Sequence, residues 1–387
     1  MIRKKLLIAI MFLTLGACKD ADVQPTELMS CSSATTSHPK SQAFQAIIDK
    51  YKKLGLPGIS VLVEDTSGLF IGSAGYADLE EGIEFTPCHP SKAASITKLM
   101  VGVLTFQLQE EGLLDIDDPI SDYIDAEILD KLDNAAGVTI KECMNHTTGI
   151  FDLITSDNFY LAVINNPNKE WRQEELLEFA YDQGAVEFEA PFTASYSNTN
   201  TALVSMCIEA ATGRDHGELL REKIIAPLGM TNTFYQGRES LPNNVAQGYF
   251  DLHNNGTIVN VSNMITGSGN GYGGMYSNVE DLNVFIRQLF ADKTILSAAS
   301  LLEMEDYYLA RDNFYTGTGM IKKFTEKTVE GGLGHTGRDL GYSANLFYFP
   351  TAKVSSAFFV NYGTNGESHL KEVFEDFESD LVDEILR

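Results

Sequence analysis

The sequence is poor in positive charge and in cysteine. Its 28 lysines and arginines are outnumbered by 54 aspartates and glutamates, which gives a net charge of -26 at pH 7. Nucleic acids and anionic membrane surfaces bind basic faces, so this balance argues against both as partners. Only 5 cysteines occur in 387 residues, and none of their spacings resembles a zinc site. We expect no metal and no cofactor.

The apolar stretch near the N-terminus is short. It covers residues 6–15, which are too few to span a bilayer as a permanent helix. They follow a basic cluster at residues 3–5 and end at Leu15-Gly16-Ala17-Cys18. This combination resembles a bacterial lipoprotein signal, in which residues 1–17 are removed and Cys18 is lipidated. The alternative is an ordinary cleaved signal peptide with a chance cysteine. Both predict an extracytoplasmic protein, and the first predicts that a lipid anchor is its membrane contact.

Residues 18–41 are polar, rich in Ser, Thr and Pro, and without periodicity, which predicts a flexible tether. An extracytoplasmic location permits disulfides. With Cys18 lipidated, four cysteines remain that can pair in three ways, and the sequence does not distinguish them: Cys31, Cys88, Cys143 and Cys207. Cys207 lies in an apolar helical run, which favours a buried free thiol.

Strand patterns lie at both ends of the chain, and helical patterns dominate the middle. Residues 58–64 and 69–76 flank a turn and predict a β-hairpin. Near the C-terminus, residues 342–349 and 354–362 predict two aromatic-rich strands. An amphipathic helix is predicted after them, over residues 368–386.

We therefore expect an α/β fold of the α+β kind, with one sheet built from both ends of the chain. The sheet region comprises residues 42–105 and 266–387, and residues 106–265 form an inserted helical region. A cleft between the two regions is the natural place for a functional site.

Ser95 opens an apolar run that extends through Phe106. The run has no clean polar stripe, which predicts a helix buried on most of its circumference. Lys98 follows three residues later, on the same helical face as Ser95. A proton acceptor beside a hydroxyl at a helix start is the arrangement of an acyl-transfer nucleophile. The alternative is that Ser95 caps the helix and Lys98 extends to solvent.

An acyl-transferring serine needs a second group that moves protons at the leaving atom. Tyr196-Ser197-Asn198 offers a phenol for this purpose and an amide that can bond both the substrate and Lys98. The alternative is a helix-start turn capped by Ser197 or Asn198. The same tripeptide recurs at residues 276–278, and local chemistry does not separate the two copies.

A third group, His335-Thr336-Gly337, lies in a predicted strand. The glycine lets a substrate approach the backbone, and Thr336 offers a hydroxyl. His335 either directs a positive charge at a substrate carboxylate or is an ordinary hydrogen-bonded histidine. The next residue, Arg338, either supplies positive charge to the cleft or points away from it along the alternating strand.

Taken as an ordered set, these three groups resemble the serine β-lactamase and penicillin-binding protein superfamily. The branch is that of class C β-lactamases, D-alanyl-D-alanine carboxypeptidases and related esterases, and the resemblance covers residues 42–385. Three further segments also resemble that family: residues 110–119, 144–150 and 273–277. The last of them assigns Tyr276 to a different family element and leaves Tyr196 as the catalytic copy.

The resemblance implies a β-lactamase/transpeptidase-like fold: an antiparallel sheet flanked by helices from both termini, with an inserted all-helical region. It implies that Ser95 attacks a carbonyl and forms an acyl-enzyme, while Lys98 and Tyr196 share the proton transfers. Asn198 would then hold the substrate amide and Lys98. The backbone N–H groups of Ser95 and Arg338 would form the oxyanion hole.

Where many relatives have Lys-Thr-Gly, this chain has His335-Thr336-Gly337. Histidine is fully charged only below about pH 6.5, which argues against strong β-lactamase activity. We therefore predict a lipid-anchored serine hydrolase of the cell envelope that acts on D-Ala-D-Ala-type peptides or on small esters and amides. The alternatives are a β-lactamase and, in a different class, a non-catalytic penicillin-recognising or surface-binding protein.

Overall fold

The structure is a computed structural model that describes residues 23–28, 31–32, 34–267, 269–364 and 366–387. The predicted signal segment, residues 1–17, and the predicted lipidation site, Cys18, lie outside the described residues. Among the helices that are described, none is both long enough and apolar enough to cross a membrane.

The described residues form the strands and α-helices given below with their bounds. The strands are β1 (Gly58–Asp65), β2 (Gly68–Asp78), β3 (Ile83–Glu84), β4 (Ser91–Ala94), β5 (Phe234–Tyr235), β6 (Tyr249–Phe250), β7 (Val259–Asn260), β8 (Met275–Ser277), β9 (Tyr308–Arg311), β10 (Phe314–Gly317), β11 (Met320–Lys323), β12 (Gly332–Asp339), β13 (Tyr342–Phe349) and β14 (Val354–Val360). The α-helices are α1 (Ser41–Lys53), α2 (Ile96–Glu110), α3 (Ala126–Leu129), α4 (Ile140–Asn145), α5 (Phe159–Asn165), α6 (Gln173–Leu177), α7 (Asn198–Thr212), α8 (His216–Leu220), α9 (Val279–Ile286), α10 (Ala298–Met304) and α11 (Lys371–Leu386).

A nine-stranded antiparallel sheet joins the two ends of the chain, as predicted. Its order is β3-β2-β1-β14-β13-β12-β11-β10-β9, so the N-terminal hairpin pairs with the last strand. The sheet separates two hydrophobic clusters, one on each face. Side chains along β1 point to the two faces in turn, so Val61 and Val63 lie in one cluster and Leu62 lies in the other. Helices α1 and α11 cover the first face, and α2 and α9 cover the second. The predicted α+β fold class is confirmed.

The described part of the predicted tether is not free of the domain. The backbone N–H of buried Thr26 donates to Asp78 at 3.0 Å, and the Thr26 hydroxyl donates to the Val245 carbonyl at 2.8 Å. A disulfide links Cys31 to Cys88. The expectation of a flexible tether is therefore wrong for the described residues between 23 and 40, because these bonds hold them against the surface. Of the three possible pairings, the tertiary structure selects this one.

The other two cysteines outside the N-terminal segment, Cys143 and Cys207, are buried free thiols, as was expected for Cys207. Helices α3 to α8 occupy the range 106–265, together with the two-residue strands β5, β6 and β7. Strand β5 forms a small sheet with β8 and β4, in the order β4-β8-β5. Strand β4 of this sheet ends at Ala94, directly before Ser95.

Candidate active site

Ser95 lies at a sharp bend between β4 and α2. Ala94 has φ of 49°, a left-handed conformation that is strained for a residue with a side chain. The Thr97 hydroxyl holds the bend, because it donates to the Ala94 carbonyl at 2.6 Å and accepts the Met275 N–H at 3.1 Å. The Ser95 side chain makes no capping hydrogen bond, so the interpretation of Ser95 as a helix cap is wrong. Its hydroxyl faces Lys98 instead.

The Lys98 amine is buried and has three neighbours at hydrogen-bond distance. Its Nζ lies 3.0 Å from Ser95 Oγ, 2.6 Å from Asn198 Oδ1 and 2.6 Å from the Tyr272 carbonyl oxygen. A neutral amine has two N–H donors and one lone pair. When both donors point to Asn198 and Tyr272, the lone pair is free to accept the Ser95 O–H. The solvent-exposed alternative for Lys98 is therefore wrong.

Burial lowers the pKa of Lys98 to about 7, although the charges of Asp152 and Asp339 oppose the shift. The desolvated ammonium is costly, and neither carboxylate bonds it directly. Asp339 is instead held by Lys92, whose Nζ lies 3.0 Å away. Lys98 is therefore a base whose two protonation states are both populated near neutral pH.

Asn198, the first residue of α7, holds Lys98 from one side. Its carboxamide oxygen accepts from Lys98, while its nitrogen lies 3.1 and 3.0 Å from the two oxygens of Asp152. The Asn198 backbone N–H also donates to Asp152, at 3.0 Å. Both ends of the amide are thus occupied within the protein. Asn198 fits the predicted contact with Lys98. Its predicted contact with a substrate amide stays a prediction.

The structure separates the two Tyr-Ser-Asn copies. Lys98 Nζ lies 5.2 Å from the centre of the Tyr196 ring, whereas Tyr276 packs against Tyr342 with ring centres 6.1 Å apart. Burial raises the pKa of Tyr196 well above its ordinary value, and the neighbouring Ser95 hydroxyl opposes the rise. Among the described residues, none forms a hydrogen bond of normal geometry with the buried Tyr196 hydroxyl. Tyr196 is therefore a protonated phenol beside Ser95.

His335 does not carry the positive charge considered for it. Burial, with the nearby charge of Lys98, lowers its pKa to about 3. Its Nδ1 donates to the Thr336 carbonyl at 2.6 Å. The ring lies in the interior beside Lys98 and His146 rather than on the wall of the cleft. His335 is a neutral histidine at physiological pH, because no carboxylate compensates for its burial.

The rest of the β12 segment is built for close contact with β4. A Cβ added to Gly337 would lie 2.1 Å from the Ala93 carbonyl oxygen, so the glycine accommodates the chain itself rather than a substrate. This contact brings β12 against the residues that lead to Ser95. Thr336 lines the cleft with Ser95 and Tyr196. The predicted oxyanion hole, formed by the N–H groups of Ser95 and Arg338, stays a prediction.

Arg338 is among the residues that line the cleft, but its guanidinium is held by partners within the protein. Its Nη2 donates to Glu378 of α11 at 2.9 Å, and Nη1 donates to the Ala344 carbonyl at 2.7 Å. The guanidinium also lies over the Phe374 ring, 4.6 Å from its centre. These partners belong to the sheet face opposite α2. The Arg338 side chain therefore supplies no free charge for a substrate.

Sequence reasoning missed a different cation, Arg311 at the end of β9. Arg311 lines the cleft with Ser95 and Tyr196, and its guanidinium lies 4.1 Å from the centre of the Phe314 ring. Among the residues that the structure describes, no carboxylate lies at ion-pair distance from it. No sequence signal pointed to Arg311, because only the sheet order brings β9 and β10 beside the cleft.

Two further partners of the site were also missed. Asp152 follows the matched segment 144–150 closely, so its position offered a weak signal. The Tyr272 carbonyl offered none, since a backbone oxygen has no side-chain signature. His146 directly follows α4 and ends it with φ of 62°. Its ring also stacks on Tyr196, with ring centres 4.4 Å apart.

Comparison with known proteins agrees with this geometry. The family model described as beta-lactamase matches residues 44–378, which is most of the chain. The chain belongs to the beta-lactamase family. The predicted superfamily membership is thereby confirmed, and with it the membership of a family of hydrolases.

Two solved structures superimpose on this chain over nearly their whole length. A D-stereospecific amidohydrolase from Streptomyces sp. is 25% identical, with a TM-score of 0.75 over 87% of this chain and 98% of that one. A D-amino acid amidase from Ochrobactrum anthropi SV3, complexed with L-phenylalanine amide, is also 25% identical. Its TM-score is 0.75, over 89% of this chain and 97% of that one.

A curated relative is the teichoic acid D-alanine hydrolase of Staphylococcus aureus. It is 25% identical over 243 residues, which make up 62% of this chain and 56% of that protein. The chain spans about half the length of the curated relatives that it matches.

Proposed function

We propose that the protein is a serine hydrolase that works through a covalent acyl-enzyme on Ser95. The observation that carries this proposal is the buried Lys98 amine, 3.0 Å from Ser95 Oγ and with a pKa of about 7. Its two other neighbours occupy its N–H donors, so its lone pair is directed at the serine. A nucleophile and an adjacent base with a pKa near the working pH are the requirements for acyl transfer.

The protonation states favour one order of proton transfers. Neutral Lys98 takes the Ser95 proton while Oγ attacks the substrate carbonyl, and the negative charge moves to the carbonyl oxygen. Tyr196 is a protonated phenol, so it is suited to give its proton to the leaving nitrogen or oxygen as the substrate bond breaks. Tyr196 then recovers a proton from Lys98. The acyl group stays on Ser95 until water displaces it, and this second step restores the free hydroxyl.

The substrates that we propose are peptides ending in D-amino acids, of the D-Ala-D-Ala type, with small esters and amides as further substrates. Three similar proteins support the stereochemistry, because they are named as a D-stereospecific amidohydrolase, a D-amino acid amidase and a teichoic acid D-alanine hydrolase. Arg311 supports a peptide with a free carboxylate, since it is a cation at the cleft without a carboxylate partner among the described residues. Neutral His335 and the pairing of Arg338 with Glu378 disfavour the β-lactamase alternative.

We further propose that the protein acts at the cell envelope, held by a lipid on Cys18. The Cys31–Cys88 disulfide supports an oxidising compartment outside the cytoplasm. A relative named for a teichoic acid substrate supports the same location. Labelling with radioactive palmitate, compared between the wild type and Cys18→Ser, tests the anchor: equal incorporation in both proteins would exclude it.

A fluorescent fluorophosphonate tests the nucleophile. We expect it to label the wild type and to leave Ser95→Ala unlabelled, while Ser91→Ala, altered in the preceding strand, keeps its label. A substrate panel of D-Ala-D-Ala peptides, nitrocefin and p-nitrophenyl esters then tests the substrate class. Turnover of nitrocefin above that of the peptides would favour the β-lactamase. No turnover and no labelling at all would favour the non-catalytic binding protein.

A further inference from the structure

A cluster of polar side chains lies behind the residues that hold Lys98. Its members are Glu209 on α7, His216 on α8 and Tyr235 on β5. His216 and Tyr235 are fully buried, and Glu209 is half-buried. The proton transfers proposed above use none of them, so this cluster needs an explanation of its own.

The three side chains form a continuous line of hydrogen bonds. His216 Nδ1 lies 2.5 Å from Glu209 Oε1, and His216 Nε2 lies 3.0 Å from the Tyr235 hydroxyl. The Tyr235 oxygen accepts the backbone N–H of Gly271 at 2.9 Å. The His216 ring therefore joins the glutamate carboxylate to the tyrosine hydroxyl through its two nitrogens. The line ends on the backbone of Gly271.

Gly271 directly precedes Tyr272, whose carbonyl accepts from Lys98 at 2.6 Å. Residues 269–274 include four glycines, so this loop has little conformational preference of its own. Gly271 has φ of +89°, and a Cβ there would lie 2.5 Å from Ser205 Oγ on α7. The loop is thus wedged against α7, and its contacts determine where the Tyr272 carbonyl lies.

Helix α7 carries the other acceptor of Lys98, because it begins at Asn198 and holds Glu209 three turns later. Both acceptors therefore belong to elements that the polar line connects. Arg238 adds a second connection, since its Nε donates to the Gly269 carbonyl at 2.7 Å and its Nη2 lies 3.5 Å from Glu209. Helix α7 and the loop at residues 269–274 are thus connected twice, once by the polar line and once by Arg238.

We propose that Glu209, His216 and Tyr235 are positioning residues that fix the spacing between the two acceptors of Lys98. Fixed acceptors hold both N–H donors of the amine and keep its lone pair aimed at the serine. If the loop shifts, an N–H can turn toward the serine and the base becomes less effective. Misplacement of a catalytic group by about 1 Å costs up to about a hundredfold in rate. This inference rests on the proposed function, because it concerns the acylation of Ser95.

The test measures fluorophosphonate labelling of Ser95 at a series of probe concentrations. It separates the maximal labelling rate from the half-saturating concentration. For Tyr235→Phe we expect the maximal rate to fall about tenfold or more, with the half-saturating concentration unchanged. His216→Leu gives a similar loss. His216→Gln restores most of the rate, because its amide can donate to Glu209 and accept from Tyr235.

Tyr51→Phe is the matched control, since it removes a tyrosine hydroxyl bonded to Asp380 at 2.7 Å in the other hydrophobic cluster. It is expected to label at the wild-type rate.

Melting temperatures identify any variant that is not folded. If Tyr235→Phe does not fold, the comparison of His216→Leu with His216→Gln tests the inference instead. Wild-type maximal rates in Tyr235→Phe and His216→Leu would overturn the inference, as would an equal loss in Tyr51→Phe. Labelling of Ser95→Ala equal to that of the wild type would instead overturn the proposed function, and this inference with it.

Discussion

The charge of Asp152 adjusts the basicity of Lys98, and Asp152→Asn tests this relation directly. The asparagine keeps an oxygen that can accept from the Asn198 backbone and side chain, which lie 3.0 and 3.1 Å from Asp152 Oδ1. It removes the negative charge that contributes most to raising the Lys98 pKa. The variant therefore lowers the Lys98 pKa further below its ordinary value, because burial is then less opposed.

The size of the effect follows from the contacts. The amide of Asn198 separates the two charges, with 2.6 Å to Lys98 Nζ and 3.0 Å to Asp152 Oδ2. That path places the charges about 6 Å apart, where an effective dielectric constant of about 20 gives an attraction of about 3 kcal/mol. Asp152 is partly exposed, so solvent reduces the effect, and we expect the pKa to fall by about 1.5 units.

The assay is the pH dependence of kcat/KM for an uncharged p-nitrophenyl ester, which reports protonation of the free enzyme. Lys98 is a base only when deprotonated, so wild-type activity rises as the pH increases through about 7. In Asp152→Asn this rise moves to about pH 5.5, and at pH 6 the variant retains about eightfold more of its own plateau activity than the wild type does.

Asp380→Asn is the control, because it neutralises a carboxylate that pairs with Lys50 rather than with the site. Its midpoint is expected to equal that of the wild type. A midpoint in Asp152→Asn that stays at the wild-type value, or that moves to higher pH, would refute the electrostatic account of Lys98.

Three other substitutions separate the remaining contributions. Tyr196→Phe lowers turnover by about a hundredfold or more through loss of the acid, while Tyr276→Phe, in the second copy, has little effect; equal losses would show that the wrong copy was chosen. Arg311→Gln raises KM about tenfold for peptides with a free carboxylate but not for neutral esters, and a uniform change in KM would contradict the proposed contact. Gly337→Ala lowers the free energy of unfolding by about 1–3 kcal/mol, because its Cβ meets the Ala93 carbonyl; unchanged denaturant unfolding would show that β12 relaxes freely.

Local patterns predicted the elements around the site well, because the physics that forms them is local. The turn between β1 and β2 and the buried run of α2 depend on neighbouring residues, and both lie within a few residues of their predicted bounds. The predicted tether is the exception. Its polar composition predicted a flexible segment. The disulfide to Cys88 and the hydrogen bonds of Thr26 hold it in place, and their partners lie in distant parts of the chain.

The sequence by itself brought the proposed nucleophile and its proposed base together, since Ser95 and Lys98 share one turn of a helix. It also determined the order of the three motifs and hence the family. The resemblance to the family favoured Tyr196 over Tyr276, and the tertiary structure showed that Tyr196 lies beside Lys98. Only the tertiary structure showed that His335 is neutral and that Arg338 turns toward Glu378, because charge and direction depend on burial and on partners far away in the chain.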